Sequence, residues 1–182
     1  MSGGALRVAL AGNPNVGKTS LFNELTGSRH KVGNYAGVTV ETREGAVAAR
    51  WQPTRSVTVV DLPGTYSLTP VSEDEAVAFR CLHGDEGPPP DLIVLVVDAA
   101  NLARNLYLAV QLCELGRPLV LALNMMDVAA AAGVPVDAAA LAGALGVPVL
   151  PTVARTGEGI AGLVAEICRF GQVPWDMAEV RG

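Results

Sequence analysis

The stretch "AGNPNVGKTS" (residues 11 to 20) restricts the architecture more than any other part of this 182-residue chain. Gly12 and Gly17 frame four residues and lead into Lys18 and Thr19, the G-x-x-x-x-G-K-[ST] spacing of a phosphate-binding loop. It follows an apolar run, "LRVALAG" (6 to 12), and precedes a helical pattern, which is the context such a loop requires. Backbone N–H groups from Asn15 to Ser20 are then expected to converge on phosphates. The helix N-terminus adds partial positive charge and Lys18 a full one. Gly12, Asn13, Asn15, Val16, Gly17, Lys18, Thr19 and Ser20 are therefore nucleotide-site candidates, with the Thr19 hydroxyl offered to Mg²⁺.

Such a loop needs a sheet behind it, and four more apolar runs supply strands: "SVTVVD" (56 to 61), "DLIVLVVD" (91 to 98), "PLVLALN" (118 to 124) and "VPVL" (147 to 150). They are rich in Val and Leu without strict alternation, as strands buried on both faces are. Between them the pattern predicts helices over Lys18 to Gly27, Ser72 to His83, Asn101 to Gly116, Asp137 to Gly146 and Gly159 to Phe170. Asn101 and Asp137 read as N-caps, Gly116 and Gly146 as residues just past C-termini. Alternation of this kind predicts an α/β fold, a mostly parallel sheet with helices on both faces. Ligands in such sheets bind beyond the carboxyl ends of the strands, where each motif here falls. Residues 1 to 170 read as one domain and 171 to 182, "GQVPWDMAEVRG", as a tail that starts something absent.

The net charge of −5 excludes a broad electrostatic footprint for nucleic acid. Cys81, Cys113 and Cys168 form no C-x-x-C pair and read as reduced thiols. No signal peptide is visible before the first strand, so the domain is expected in the cytoplasm. Glu73, Asp74 and Glu75 at a helix start read as dipole complements facing water rather than as a metal site. His30 and His83 are isolated in the sequence, and Trp51 and Trp175 read as packing residues. In "NLARNLYLAVQL" the spacing of Leu102, Leu106, Ala109 and Val110 predicts a core stripe, which turns Arg104 and Asn105 outward.

The base is read elsewhere. "LALNMMD" places Asn124 and Asp127 at the end of a buried strand, and a carboxylate accepting from guanine N1–H and its 2-amino group rejects adenine. The motif is similar to the N-K-x-D of Ras-like GTPases with Met125 in place of lysine, a flexible stem able to cover the base. In "TVARTGEG" Val153 and Ala154 stand where an S-A-K motif offers a backbone N–H to guanine, and Arg155 replaces its lysine. "DLPGTYS" puts Asp61 at a strand end, suited to hold Mg²⁺ through water, and Gly64 where its amide can meet a γ-phosphate. Thr65 and Tyr66 stand where Ras-like enzymes carry a water-orienting glutamine, so hydrolysis needs another activation. In "VGNYAGVTVE" Thr39 is the switch threonine, a second candidate for Mg²⁺ and γ-phosphate. Lys18, Thr39, Gly64 and Asn15 are the candidate catalytic set.

Together the strings "GNPNVGKTSLFNELTGSRHKVGNYAGVTVE", "DLPGTYSL", "DAANLARNLYL" and "LNMMD" resemble the cytosolic GTPase domain of FeoB-type ferrous iron transport proteins, which usually carry that methionine. The resemblance implies a Ras-like P-loop GTPase fold, an α/β fold with a mostly parallel six-stranded sheet and helices on both faces, and GTP and GDP as ligands. It also implies a helical nucleotide-release domain and a membrane Fe²⁺-permeation domain in a full-length protein of the bacterial inner membrane. It makes Asn15 the counterpart of the asparagine that helps bind K⁺ in potassium-activated relatives, where switch I carbonyls also hold the ion. Two alternatives stay open: a ribosome-assembly or RNA-modification GTPase, and a nucleotide-sensing module with negligible turnover. A homo-oligomer is also left open.

Overall fold

The computed structural model describes residues 5–34, 40–85 and 88–172. Thr39, Trp175 and nearly all of the tail lie outside the described residues. Seven strands form one sheet: β1 (Leu6–Gly12), β2 (Lys31–Asn34), β3 (Glu41–Ala46), β4 (Val57–Asp61), β5 (Leu92–Asp98), β6 (Leu119–Asn124) and β7 (Val149–Pro151). Their order is β2-β3-β4-β1-β5-β6-β7. The pairs of β1 with β4 and β5, of β5 with β6 and of β6 with β7 are parallel. The pairs of β3 with β2 and with β4 are antiparallel.

The sheet is thus mostly parallel but has seven strands, not the expected six. The two at the β2 edge escaped the pattern because "ETREGA" is polar, with only Gly45 buried, and "KVGN" has four residues. The edge strand β2 and its neighbour β3 bury little apolar surface, so they give little hydrophobic signal.

Helices cover both faces. They are α1 (Lys18–Thr26), α2 (Glu73–His83), α3 (Leu102–Glu114), α4 (Met126–Ala131), α5 (Ala138–Leu145) and α6 (Ile160–Arg169). The period-2 geometry of strands sorts the core into two layers. Val8, Leu10, Val94 and Val96 face Leu21, Phe22 and Leu25 of α1 and Leu163 and Ile167 of α6. Ala9, Ala11, Ile93 and Leu95 face Ala78 and Leu82 of α2 and Leu108 and Leu112 of α3. Each of those large side chains contributes about 1.5–3 kcal/mol on burial, which fixes the sheet edge from which the loops project.

Helix ends follow local chemistry. Ser72 caps α2 by accepting from the Glu75 N–H, Asp137 caps α5 by accepting from Ala140, and Gly27, Gly84 and Gly146 close their helices in left-handed geometry. Helix α3 departs from expectation. Asn101 makes no side-chain cap, and a 3-10 turn over Ala99–Asn101 precedes the helix instead. The buried stripe is Asn105, Leu108, Ala109 and Leu112, while Val110 is 46% exposed. Asn105 turns inward because its Nδ2 donates to the Asn101 carbonyl at 2.9 Å, at the junction of turn and helix. All three cysteines carry thiols, and burial pushes the Cys113 thiol up, with Glu114 adding to it. Trp51 packs on the α1 side, its Nε1 donating to the Glu24 carbonyl at 2.8 Å. No described helix is long and apolar enough to cross a membrane.

Candidate nucleotide site

The β1–α1 loop has the backbone its sequence demands. Gly17 sits at φ +82°, and a Cβ there would collide with Asn124 Nδ2, so this position accepts only glycine. Asn15 (φ 66°) is also left-handed; its side chain is exposed, as are those of Thr19 and Ser20 in the first turn of α1, while Val16 is buried. Asn13 is buried, and its Nδ2 donates to the Arg104 carbonyl of α3 at 3.2 Å. Its side chain therefore ties the loop to α3, leaving its backbone for phosphate.

Two loops converge with it on the base side. Asn124, 2% exposed at the end of β6, donates Nδ2 to the Val16 carbonyl at 3.0 Å. Its Oδ1 accepts from the Ala154 N–H at 3.0 Å and from Thr152 Oγ1 at 3.3 Å. One side chain thus fastens the phosphate loop to the loop after β7. Met125 (φ 62°) makes the left-handed turn into α4, a conformation that costs an ordinary residue about 1–2 kcal/mol and sets Asp127 in the first turn. Asp127 Oδ2 accepts from Arg155 Nη2 at 2.9 Å, and this hydrogen bond is the main cause that holds the carboxyl below the usual aspartate range. Val153 and Ala154 are both buried, with the Val153 N–H donating to the Glu158 carbonyl at 3.0 Å. In this structure the Ala154 amide is spent on Asn124, so meeting a guanine carbonyl requires it to change partner.

On the phosphate side, Lys18 Nζ donates to Asp61 Oδ1, and both side chains are nearly buried, 11% and 9% exposed. They border a cleft of about 340 Å³ with Thr19, Val40, Leu62 and Asp74. The residues fit Mg²⁺, because a hydroxyl at Thr19 and a carboxylate at Asp61 on one cleft are hard oxygen donors. Asn15 offers one amide oxygen to a monovalent cation; of the switch I loop (about 30 to 41) expected to complete that set, residues 35 to 39 lie outside the described residues.

The segment after Asp61 folds onto the phosphate loop. The Thr65 N–H donates to the Gly12 carbonyl at 3.0 Å, and a Cβ on Gly64 would press on Pro14 at 3.1 Å. Thr65 is 1% exposed with its hydroxyl donating to the Ser67 carbonyl at 2.7 Å, so it does not serve as a surrogate for the missing glutamine. Helix α3 holds the same segment, through Arg104 Nη2 to Tyr66 OH at 2.9 Å and through the Leu68 N–H to Gln111 Oε1 at 2.8 Å. Glu75 faces inward instead of into water. Its carboxylate accepts from the Val71 N–H at 2.9 Å and the Tyr66 N–H at 3.3 Å. The Val71 bond is the main reason its carboxyl lies below the usual glutamate range, against a burial that raises it.

Gly12, Gly17, Lys18, Thr19, Asn124, Asp127, Ala154 and Asp61 thus come together at one end of the sheet. Thr152, Arg155 and the inward Glu75 were missed. Thr152 carried a signal, since it directly precedes the Val153–Ala154 pair at a strand end; Arg155 and Glu75 needed the tertiary fold.

Residues 6–167 match the FeoB N-terminal family model, described as Ferrous iron transport protein B. The Fe(2+) transporter FeoB of Escherichia coli (strain K12) is 51% identical over 170 residues, covering 91% of this chain and 21% of that protein. The chain therefore spans about a fifth of the length of such relatives. Among solved structures, an S. thermophilus NFeoB mutant bound to mGDP aligns with a TM-score of 0.86 at 41% identity, covering 96% of this chain and 65% of that one. The cytosolic domain of the T. maritima FeoB iron transporter in its GMPPNP form aligns at 0.85 with 41% identity, covering 93% and 65%.

Proposed function

The chain belongs to the ferrous iron transport protein B family, and from that membership we propose that it binds GTP and GDP, hydrolyses GTP slowly, and reports its nucleotide state to an attached Fe²⁺ transporter. The observation that carries the reading is the junction at Asn124, which ties the phosphate loop at Val16 to both base-contacting loops, with Asp127 three residues on. Asp127 accepts from guanine N1–H and the 2-amino group. Met125 covers the ring, and the Val153–Ala154 loop closes its far edge. The family match over residues 6–167 leaves no support for the ribosome-assembly or RNA-modification reading.

Lys18 leaves Asp61 for the β- and γ-phosphates, and backbone amides from Asn15 to Ser20 and at Gly64 hold the remaining oxygens. Thr19 and Thr39, with Asp61 acting through water, are the residues that would hold Mg²⁺, which would supply neutralising charge to the phosphates. With the Thr65 hydroxyl spent within its own loop, no described side chain takes the water-orienting role, so positioning and charge carry the rate. Asn15 is the side chain proposed to hold K⁺, whose charge would stand in for an arginine finger. Switch I (about 30 to 41) and switch II (about 62 to 75) carry the signal to a helical nucleotide-release domain and a membrane domain beyond residue 170. The full-length protein would sit in the bacterial inner membrane with this domain in the cytoplasm.

The test is steady-state phosphate release from GTP with Mg²⁺, in KCl and in NaCl at equal ionic strength, for the wild type and Asn15→Ala. Faster release in K⁺, lost in the variant, is expected. Equal slow rates in all four reactions would make Asn15 structural, and no turnover in any would leave a nucleotide sensor.

A further inference from the structure

We propose that Arg155 is a specificity-determining residue of the base site, which positions the Asp127 carboxylate so that both its oxygens meet guanine. The inference rests on the GTP reading above and adds a residue to it. Arg155 lies immediately after Ala154, whose N–H is bonded to Asn124. The loop that bears it is closed on itself: the Thr156 and Gly157 N–H groups both donate to the Val153 carbonyl at 3.0 Å. A Cβ on Gly157, at φ +81°, would press on Glu24 Oε1 at 3.2 Å and on the Trp51 ring at 3.3 Å, so the far side of the loop runs close to α1 with little room to shift. Asp127 is equally fixed, in the first turn of α4 directly after β6. Two rigid supports from separate strand ends therefore present the guanidinium and the carboxylate to each other at 2.9 Å.

The pair is arranged with the cation outside. The Arg155 side chain is 78% exposed and that of Asp127 34%, so the arginine grips Oδ2 from the solvent side. An ionised carboxylate has about four lone-pair sites, and guanine needs one on each oxygen. One bond from Arg155 leaves enough for both guanine donors while removing the freedom of the carboxylate to rotate. The lowered Asp127 pKa is consistent with that, since only the ionised form presents both oxygens as acceptors with no O–H to donate. A lysine at this position would be a point charge, whereas the planar guanidinium fixes direction as well.

Orientation matters most to a ligand that uses both oxygens. GDP donates from N1–H and the 2-amino group, whereas IDP lacks the amino group and uses one oxygen. The experiment is competition of GDP and IDP against a fluorescent guanine nucleotide for the wild type, Arg155→Ala, Arg155→Lys and Asp127→Asn. Arg155→Ala is expected to weaken GDP about fivefold, the upper end of what an exposed ion pair supplies, with IDP nearly unchanged. Arg155→Lys should restore part of the GDP-to-IDP preference. A GDP affinity that stays the same or tightens, or an equal loss for both nucleotides, would overturn the proposal. Asp127→Asn separates this from the underlying reading: it should shift preference to xanthine nucleotides, and failure of that shift alone would remove the base site itself.

Discussion

The two ends of the nucleotide site are built differently. At the base end the central group is Asn124, a neutral side chain 2% exposed, whose three hydrogen bonds run to Val16, Thr152 and Ala154. At the phosphate end the central groups are charges, Lys18 and Asp61, which satisfy one another, beside an exposed Thr19 and an exposed Asn15. Neutral buried bonds set a shape at little cost of reorganisation, whereas paired charges exchange partners when a phosphate or a cation offers a stronger field. Recognition is thus assigned to the rigid end and change of state to the end whose charges are exchangeable.

The largest effect expected is at the charged end. Lys18→Ala leaves Asp61 without its cation and a bound triphosphate without its only side-chain charge from the phosphate loop. Loss of such a contact typically costs about 100-fold or more in turnover. Phosphate release and fluorescent-nucleotide binding measure it, and a variant that still turned over within tenfold of wild type would break the comparison by removing the charged end from the chemistry.

Next is Asn124→Ala, which tests whether the neutral end is a frame. It strips a partner from the Val16 carbonyl, the Ala154 amide and the Thr152 hydroxyl, all buried, at about 1–3 kcal/mol for each group left unsatisfied. Thermal unfolding should therefore fall by several degrees even with no nucleotide added, together with GDP affinity. A loss of affinity at unchanged melting temperature would show that Asn124 only contacts ligand and does not hold the loops.

Legibility in the sequence did not follow that division, since each end was read in part. Gly12, Gly17, Lys18 and Thr19 were readable because a phosphate cradle tolerates little variation in spacing, and Asn124 and Asp127 because one ends an apolar strand and the other follows it by three residues. The ends of α2 and α5 were readable from Ser72 and Asp137, whose caps are local. What escaped depended on distant partners or on weak patterns. Arg155 reaches Asp127 across 28 residues, by convergence of β6 and β7 that no window of sequence contains. Strand β3 is polar and lies one strand in from the β2 edge, so no apolar run marks it. Asn105 broke the apolar stripe of α3 because a 3-10 turn resets the phase of that helix, and hydrophobic spacing carries no record of such a turn.

The smallest expected effect concerns a fixed point inside the changeable end. Glu75 spends both carboxylate oxygens on backbone N–H groups, Val71 and Tyr66, and so clamps the middle of switch II to the start of α2. A glutamine there presents one acceptor and one donor to two N–H groups, so Glu75→Gln forfeits a charge-assisted bond and sets like donors against each other. The expected cost is about 2 kcal/mol, felt locally as faster hydrogen exchange at Tyr66 and Val71 and only weakly in global unfolding. Acid should act in the same direction. Because the folded pKa lies below the unfolded one, the stabilisation is complete above the ordinary glutamate range and lost as pH falls through the folded value. Exchange at those two amides, corrected for the intrinsic pH dependence, should therefore rise on acidification in the wild type and stay flat in Glu75→Gln. A glutamine variant with the wild-type acid response would assign that response to another group and leave the phosphate end with no fixed point of its own.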